Sequence, residues 1–254
     1  MPILTLLTDF GTRDYYVAAV KGVILREAPK AVIIDITHEV SPGDIEEASF
    51  LLAAVAGEFP VGTVHLAVVD PQVGGDRRIL VARTPGALFV APDNGLLSPW
   101  LDSADVFSVT AGDLVRAGPG ATFHGRDRFA PLAAALLRSQ PPEDLGEPVT
   151  DPITLDPRPP RREGTTVEGR VVHVDRFGNL ISDIPEAWCP RGARVVSVAG
   201  RQVERWVTHY AALSPGQVGA LIGSLGTVEV SVRDGSAAER LGCGRGDPVR
   251  VVPA

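Results

Sequence analysis

Asp70 opens the segment Val69-Asp70-Pro71-Gln72-Val73-Gly74-Gly75-Asp76-Arg77-Arg78, where an aliphatic run stops in a Gly-rich loop and an arginine follows seven residues after the carboxylate. A carboxylate and a guanidinium folded toward each other can hold and polarise a water molecule. Two further acids, Asp9 and Asp35, stand like Asp70 at or near the ends of aliphatic runs, at residues 3–7, 31–34 and 64–69. Phe123-His124-Gly125-Arg126-Asp127 adds a Gly-flanked histidine at an expected helix start. An imidazole there can donate, accept or titrate near neutral pH. Asp127 reads as the cap of that helix and Arg126 as its surface partner.

Asp9, in Leu7-Thr8-Asp9-Phe10-Gly11, has the position of an acid that accepts from the two hydroxyls of a ribose. The dinucleotide fingerprint G-x-G-x-x-G, the phosphate loop G-x-x-x-x-G-K-[ST] and the hydrolase elbow G-x-S-x-G are all missing, which leaves hydride transfer, NTP hydrolysis and serine hydrolysis without support. A metal site of Asp9, Asp35 and Asp70 with His124 stays open, as in a metal-dependent phosphoesterase, although Arg77 beside the acids would repel a cation. His38 reads equally as crevice lining or as a loop histidine, while His65, His173 and His209 read as structural or exposed.

Further on, Asp175-Arg176-Phe177-Gly178-Asn179 places an acid, an aromatic ring and a carboxamide within five residues. An amide can pair with the edge of a nucleobase while an aromatic packs on its face. A turn between two strands recruits the same residue types, and on the residues alone the turn is preferred. Lysine occurs only at Lys21 and Lys30 and asparagine only at Asn94 and Asn179, a bias that makes the surviving asparagines stand out. Asn94, before Gly95, reads equally as a turn residue or a functional one. Gly178 already supplies the permissive turn residue, which favours function for Asn179.

The elements that must position these groups alternate at first. Strands are predicted at residues 3–7, 31–36, 64–69, 79–82 and 87–90, and helices at 14–27, 44–56 (capped by Asp44) and 129–137. Strands buried on both faces read as uninterrupted aliphatic runs, and ligands bind beyond their carboxyl ends, so the acids there point into one crevice. This βαβαβ order predicts a doubly wound, mostly parallel sheet over residues 1–150. Prolines crowd residues 141–162, and a linker is placed at 151–165. Residues 166–254 follow as short aliphatic or alternating runs at 166–174, 195–198, 218–222, 227–232 and 248–252, with one helix at 236–241 capped by Ser236. They predict a smaller antiparallel β-barrel domain.

At 254 residues and 44% hydrophobic, with no run approaching a membrane span, the chain is expected to be soluble and not to engage membranes. The first residues lack the features of a signal peptide, and two cysteines, Cys189 and Cys243, without metal-ligand spacing point to a reducing compartment. A cytoplasmic location is expected. A net charge of −7 without a basic stretch argues against nucleic acid and for a small-molecule partner.

Together Thr8-Asp9-Phe10-Gly11, Val69-Asp70-Pro71 through Arg77-Arg78, Pro92-Asp93-Asn94-Gly95, Phe123-His124-Gly125-Arg126-Asp127, Asp175-Arg176-Phe177-Gly178-Asn179 and Gly235-Ser236-Ala237-Ala238 resemble the S-adenosyl-L-methionine (SAM) hydroxide adenosyltransferases, over the whole chain and in order. These are adenosine-forming SAM hydrolases related to the fluorinating and chlorinating enzymes. The resemblance implies an N-terminal α/β domain, a C-terminal β-barrel domain, and a homotrimer with SAM bound between the N-domain of one subunit and the C-domain of its neighbour. It implies no cofactor and no metal, with SAM itself the substrate. Asp70, Arg77 and His124 would position and activate water, Asp9 would hold the ribose hydroxyls, Asp175 the methionine ammonium, and Asn179 with Phe177 the adenine. By looser matches, Tyr210 would pack on the adenine and Ser224 bind the methionine carboxylate. Halogenating relatives carry a tyrosine at the position of Asp70 and a serine at that of Gly125, which puts this chain on the water-using side. Gln72 replaces a usual glycine, and Gly223-Ser224-Leu225-Gly226 lacks the arginine that the halogenating relatives use beside the serine. A SAM- or adenosine-binding protein without turnover, and a halide-using variant, are the alternatives.

Overall fold

Two strands made almost wholly of buried residues, β1 (Ile3–Thr8) and β3 (Thr63–Val68), lie side by side and parallel in the interior of the first sheet. The computed structural model describes residues 1–112, 122–156, 158–190, 194–203 and 205–253. The chain divides into two compact units, Met1–Asp156 and Pro157–Ala254.

In the first unit β1 leads through α1 (Tyr16–Glu27) to β2 (Val32–Thr37), and β2 through α2 (Ile45–Ala56) to β3. The remaining elements are β4 (Ile79–Arg83), β5 (Ala87–Pro92), β6 (Asp105–Val109), α3 (Ala130–Leu137) and β7 (Gly146–Pro148). The sheet order is β2-β1-β3-β5-β4-β6-β7. The first four strands in that order run parallel; β4 is antiparallel to β5 and β6, and β7 to β6. Five of the seven strands therefore point one way, and the sheet is mostly parallel as expected. The antiparallel pairing of β4 with β5 follows from the short Thr84-Pro85-Gly86 connection, too short for a crossover.

Leu4, Leu6, Val64, Leu66 and Val68 face α1 and α3 in one apolar layer, whereas Leu7, Ala67 and Val69 meet Ala48 and Leu52 of α2 on the other face. Helices on both faces make the sheet doubly wound. Because β1 steps outward to β2 and the chain returns past it to β3, the strand order reverses between β1 and β3. Ligands of such sheets bind beyond the carboxyl ends of the strands flanking that point.

Asp44 caps α2 as predicted, its side chain accepting from Glu47 N at 3.0 Å. α1 starts two residues later than predicted, with Tyr15 at its cap and no side-chain capping bond, so Asp14 plays no capping part. Ahead of α3 the chain makes a wide π-helical turn over Gly125–Phe129. Asp127 sits inside that turn, 6% exposed, and takes two bonds of 2.7 Å from Arg126. It is therefore no N-cap; the helical winding already begins at His124.

The second unit is built from β8 (Arg161–Glu163), β9 (Thr166–Val174), β10 (Leu180–Pro185), β11 (Arg194–Val198), β12 (Arg201–Val203), β13 (Val218–Ile222), β14 (Thr227–Val232), α4 (Ala237–Leu241) and β15 (Pro248–Pro253). The strand path is β12-β11-β15-β9-β10-β14-β13, all antiparallel, with β8 added to β9. Just past β12, Val207 N donates to Ala220 O and Ala220 N to Arg205 O, which brings the chain back onto β13 and nearly closes the barrel. This near closure covers most of the open edge and encloses a valine-rich core. Ser236 caps α4 as predicted, accepting from Glu239 N at 3.1 Å.

Within the proline-rich stretch, Asp151, Ile153 and Leu155 are hydrogen-bonded to Arg78, Asp93 and Ser98 of the first unit. Residue 157, in the segment read as a linker, lies outside the described residues. No helix is long and apolar enough to cross a membrane among the described residues.

Candidate active site

Beyond β1 and β3 in the first unit lies a crevice of about 660 Å³ lined by Asp9, Phe10, Tyr15, Tyr16, Asp70, Phe123 and His124, among others. The two acids enter it because both strands stop one or two residues earlier, at Thr8 and Val68. Arg77 brings the rest of the set together. Its Nε donates to Asp70 Oδ2 at 2.8 Å, its Nη2 bonds the same oxygen, and Nη2 also lies 2.9 Å from His124 Nδ1. Asp70 and Arg77 side chains are each 5% exposed.

This geometry fixes the histidine's state. A guanidinium can only donate, so Nδ1 must be the acceptor and the neutral ring carries its proton on Nε2. Burial pushes the His124 pKa below the ordinary histidine value, and the charges of Arg128 and Arg77 add to that, against Asp70 and Asp127. Asp70 Oδ1 and Arg77 Nη1 are buried with no hydrogen-bond partner. A buried acceptor and a buried donor left open beside a neutral imidazole are what a polarised water needs.

Several neighbours hold this set in place. Asn94 Nδ2 donates to Val69 O at 2.9 Å and its Oδ1 accepts from Leu96 N at 3.2 Å, so Asn94 clamps the peptide next to Asp70. Only Gly95 of that pair has a positive φ, at 96°; Asn94 is therefore a hydrogen-bonding residue and not a left-handed turn residue. Asp9 Oδ2 accepts from Gly43 N at 2.9 Å, and Gly43 itself needs its φ of 74°. His38 is 4% exposed, shares a 2.9 Å bond with Thr8 Oγ1 and lies 3.1 Å from Asp35, so it braces the turn after β1 and does not line the crevice.

Asp35 corrects the reading of three convergent acids. It lies within β2 and is bonded to Lys21 Nζ at 2.6 Å. It is absent from the crevice, so the trio of Asp9, Asp35 and Asp70 is not assembled as a cation site. His65 is buried in the core, bonded to Thr5 Oγ1 at 2.7 Å and stacked on Phe89, with burial taking its pKa down to about 4.

The sequence reading missed the aromatic wall. Phe10, Tyr15, Tyr16 and Phe123 pack with ring centroids 4.6–6.4 Å apart along the crevice. The adjacent Tyr15-Tyr16, two of only three tyrosines in the chain, was the available signal.

The second unit carries a separate pocket of about 840 Å³, whose lining includes Asp175, Phe177, Asn179 and Tyr210. Here the turn forms part of the pocket wall. Asp175 Oδ1 accepts from Phe177 N and Asn179 N, and Oδ2 from Asn179 Nδ2, each at 2.9 Å. Gly178 has φ 78°, and a Cβ there would run into Ser236 at the cap of α4. Asn179 is buried, while Phe177 is 75% exposed and presents an open ring. Tyr210 Oη donates to Glu229 Oε1 at 2.7 Å. Ser224 is exposed on the turn between β13 and β14 and does not line this pocket.

Residues 4–146 match the sequence profile of the SAM hydroxide adenosyltransferase N-terminal domain and residues 169–250 that of the C-terminal domain. A protein from Thermus thermophilus named (R)-S-adenosyl-L-methionine hydrolase is 41% identical over 97% of this chain and 98% of its own. One of the same name from Salinispora tropica is 39% identical over 98% and 97%. A fluorinase from Actinoplanes sp. is 27% identical over 72% of each chain. Among solved structures, an uncharacterized conserved protein from Thermotoga maritima superposes with a TM-score of 0.92 at 34% identity, covering 98% of this chain and 99% of that one.

Proposed function

The chain belongs to the SAM hydroxide adenosyltransferase family, and from that premise we propose that it hydrolyses SAM to adenosine and L-methionine by in-line attack of water on the ribose 5′-carbon. The observation that carries the mechanism is the linked set of Asp70, Arg77 and His124, with Asp70 Oδ1 buried and free to accept.

In the proposed step the water oxygen bonds to C5′ and the C5′–S bond breaks, its electron pair returning to sulfur. Methionine leaves as a neutral thioether and needs no acid. The work left to the protein is to align the water, raise its nucleophilicity and keep bulk solvent out. Asp70 Oδ1 accepts from the water and takes its proton as the C–O bond forms. Arg77 holds Asp70 in register and stabilises hydroxide character, and the His124 Nε2–H orients the oxygen. Asp9, held by Gly43 N, receives the ribose hydroxyls.

Asn179 is assigned to the adenine edge and Phe177 and Tyr210 to its faces. Asp175 has one acceptor position left after its three turn bonds, which suits the ammonium of the methionine moiety. Ser224 is assigned to the carboxylate on the family resemblance, from a turn beside that pocket. The reaction needs no cofactor or metal. A homotrimer, with SAM between the first unit of one subunit and the second unit of the next, is proposed because the water-handling and base-recognising groups occur in different units. A cytoplasmic location is supported by two cysteines that form no disulfide.

The shared site is tested by complementation. Asp70→Ala and Asn179→Ala chains, each inactive alone, are co-assembled. Random mixing restores about a quarter of wild-type activity if the halves of each site come from different subunits. No recovery in verified mixed oligomers contradicts the arrangement.

A further inference from the structure

β14 carries a glutamate, Glu229, that is 4% exposed between buried Val228 and Val230. A buried carboxylate ordinarily needs a cation. No salt bridge reaches Glu229 among the described residues; two neutral hydroxyls donate to its Oε1 instead, Tyr210 Oη at 2.7 Å and Ser231 Oγ at 2.9 Å. The other oxygen lies against the backbone of Gly223, where any Cβ would collide with Oε2. A side chain at position 223 would have to displace that carboxylate oxygen, and Gly223 directly precedes Ser224 on the β13–β14 turn.

Val228, Val230 and Val232 supply the barrel core, so Glu229 lies on the other face of β14, where a hydrophobic residue of similar size would be buried at lower cost; the arrangement calls for a role beyond packing. Tyr210 begins a single turn of 3-10 helix and has 47% of its surface exposed, with its hydroxyl tied down at Glu229. Burial first, then Glu229 and Asp175, push the phenol pKa up to about 12, which keeps the proton on Tyr210 at neutral pH. That one proton is committed to Glu229, so the hydroxyl has no hydrogen left to donate to a ligand in the pocket.

We infer that Glu229 is a positioning residue for SAM: through the Tyr210 hydroxyl it fixes the ring that flanks the nucleoside, and through Gly223 it backs the turn that carries Ser224. The inference rests on the reading that this pocket takes SAM. It concerns binding and leaves the water-activating set in the first unit untouched.

The test is steady-state hydrolysis of SAM by wild type, Glu229→Leu, Glu229→Gln, Tyr210→Phe and Ser231→Ala, with folding checked by circular dichroism and melting. Loss of one well-made buried hydrogen bond to a charged group predicts a KM for SAM raised about tenfold in Glu229→Leu and in Tyr210→Phe, with kcat within about twofold. Glu229→Gln keeps an acceptor for Tyr210 and is expected to rescue KM to within about threefold. Ser231→Ala removes the other donor without touching Tyr210 and leaves KM unchanged. A wild-type KM in folded Glu229→Leu, or in Tyr210→Phe should the leucine variant not fold, overturns the inference by reducing Glu229 to a structural role. Absence of SAM turnover and binding in wild type defeats instead the reading of the pocket, and the inference with it.

Discussion

Replacing Asp70 by asparagine preserves the shape of the side chain and removes its charge and one acceptor. Asp70 Oδ2 takes both Arg77 Nε, at 2.8 Å, and Arg77 Nη2, while Oδ1 is buried and unpartnered. In one amide orientation the NH2 faces the guanidinium, and both bonds are lost. In the other the Arg77 bonds survive, but the NH2 occupies the Oδ1 position and donates to water where the reaction needs an acceptor. Neither orientation takes a proton. Loss of a positioned base costs about 10²- to 10⁴-fold in rate, or about 3–5 kcal/mol of barrier. Arg77, 5% exposed, also loses its counter-charge, which lowers stability by about 3 kcal/mol. The expected outcome for Asp70→Asn is kcat reduced at least 100-fold by the same base-loss range, KM for SAM within about threefold, and a lower melting temperature. Chromatographic measurement of adenosine release against SAM concentration reads both constants. A kcat within tenfold of wild type would refute the assignment of Asp70, as would a raised KM with unchanged kcat.

Three other outcomes follow from the same structure. The Arg77–His124 bond requires an unprotonated Nδ1 and the His124 pKa lies below 6.5, so kcat should hold through neutral pH and fall only below the ordinary histidine range. Arg128→Gln removes a charge that lowers that pKa and should shift the acid limb of the pH–rate profile upward; a limb that stays in place or moves down contradicts this. His65 titrates at about 4 when folded and near 6.5 when unfolded, so the unfolded chain binds more protons between those values. Stability should therefore fall by about 3 kcal/mol as pH drops from 6.5 to 4, measured by urea unfolding, and His65→Gln should flatten that slope. Asn94→Asp keeps the acceptor for Leu96 N but loses the donor to Val69 O beside Asp70, and is expected to lower kcat more than tenfold with KM little changed; an unaltered kcat in the folded variant rules out a part for Asn94 in placing Asp70.

Much of the first unit was legible because strands buried on both faces leave uninterrupted aliphatic runs, and β1 and β3 are such strands. Their ends could be read, so Asp9 and Asp70 were placed at the crevice. β2 is different: as an edge strand it is half exposed, its run is broken by Asp35, and that acid lies within the strand facing Lys21 instead of at its end. β10 alternates buried and half-buried residues over Leu180–Pro185 and was still not predicted; β7 and β12, at three residues each, leave no period to detect. Asp127 resembled a cap because the wide turn at Gly125–Phe129 has no composition of its own. In the second unit, Asp175 and Asn179 read from sequence as a turn and as candidate site residues, and the structure builds the turn and puts both residues in the lining of one pocket. Glu229 could not be paired with Tyr210 from sequence, since the two lie 19 residues apart on elements joined only by the barrel.

The most direct test of the central claim is incubation of the purified protein with SAM in ¹⁸O-enriched water, in halide-free buffer containing a chelator, followed by mass spectrometry of the products. Attack of water on C5′ predicts adenosine and methionine in equal amounts, with one ¹⁸O in the adenosine 5′-hydroxyl and none in methionine beyond background. Intact SAM, adenosine without the label, or turnover that appears only when metal or halide is restored would contradict it.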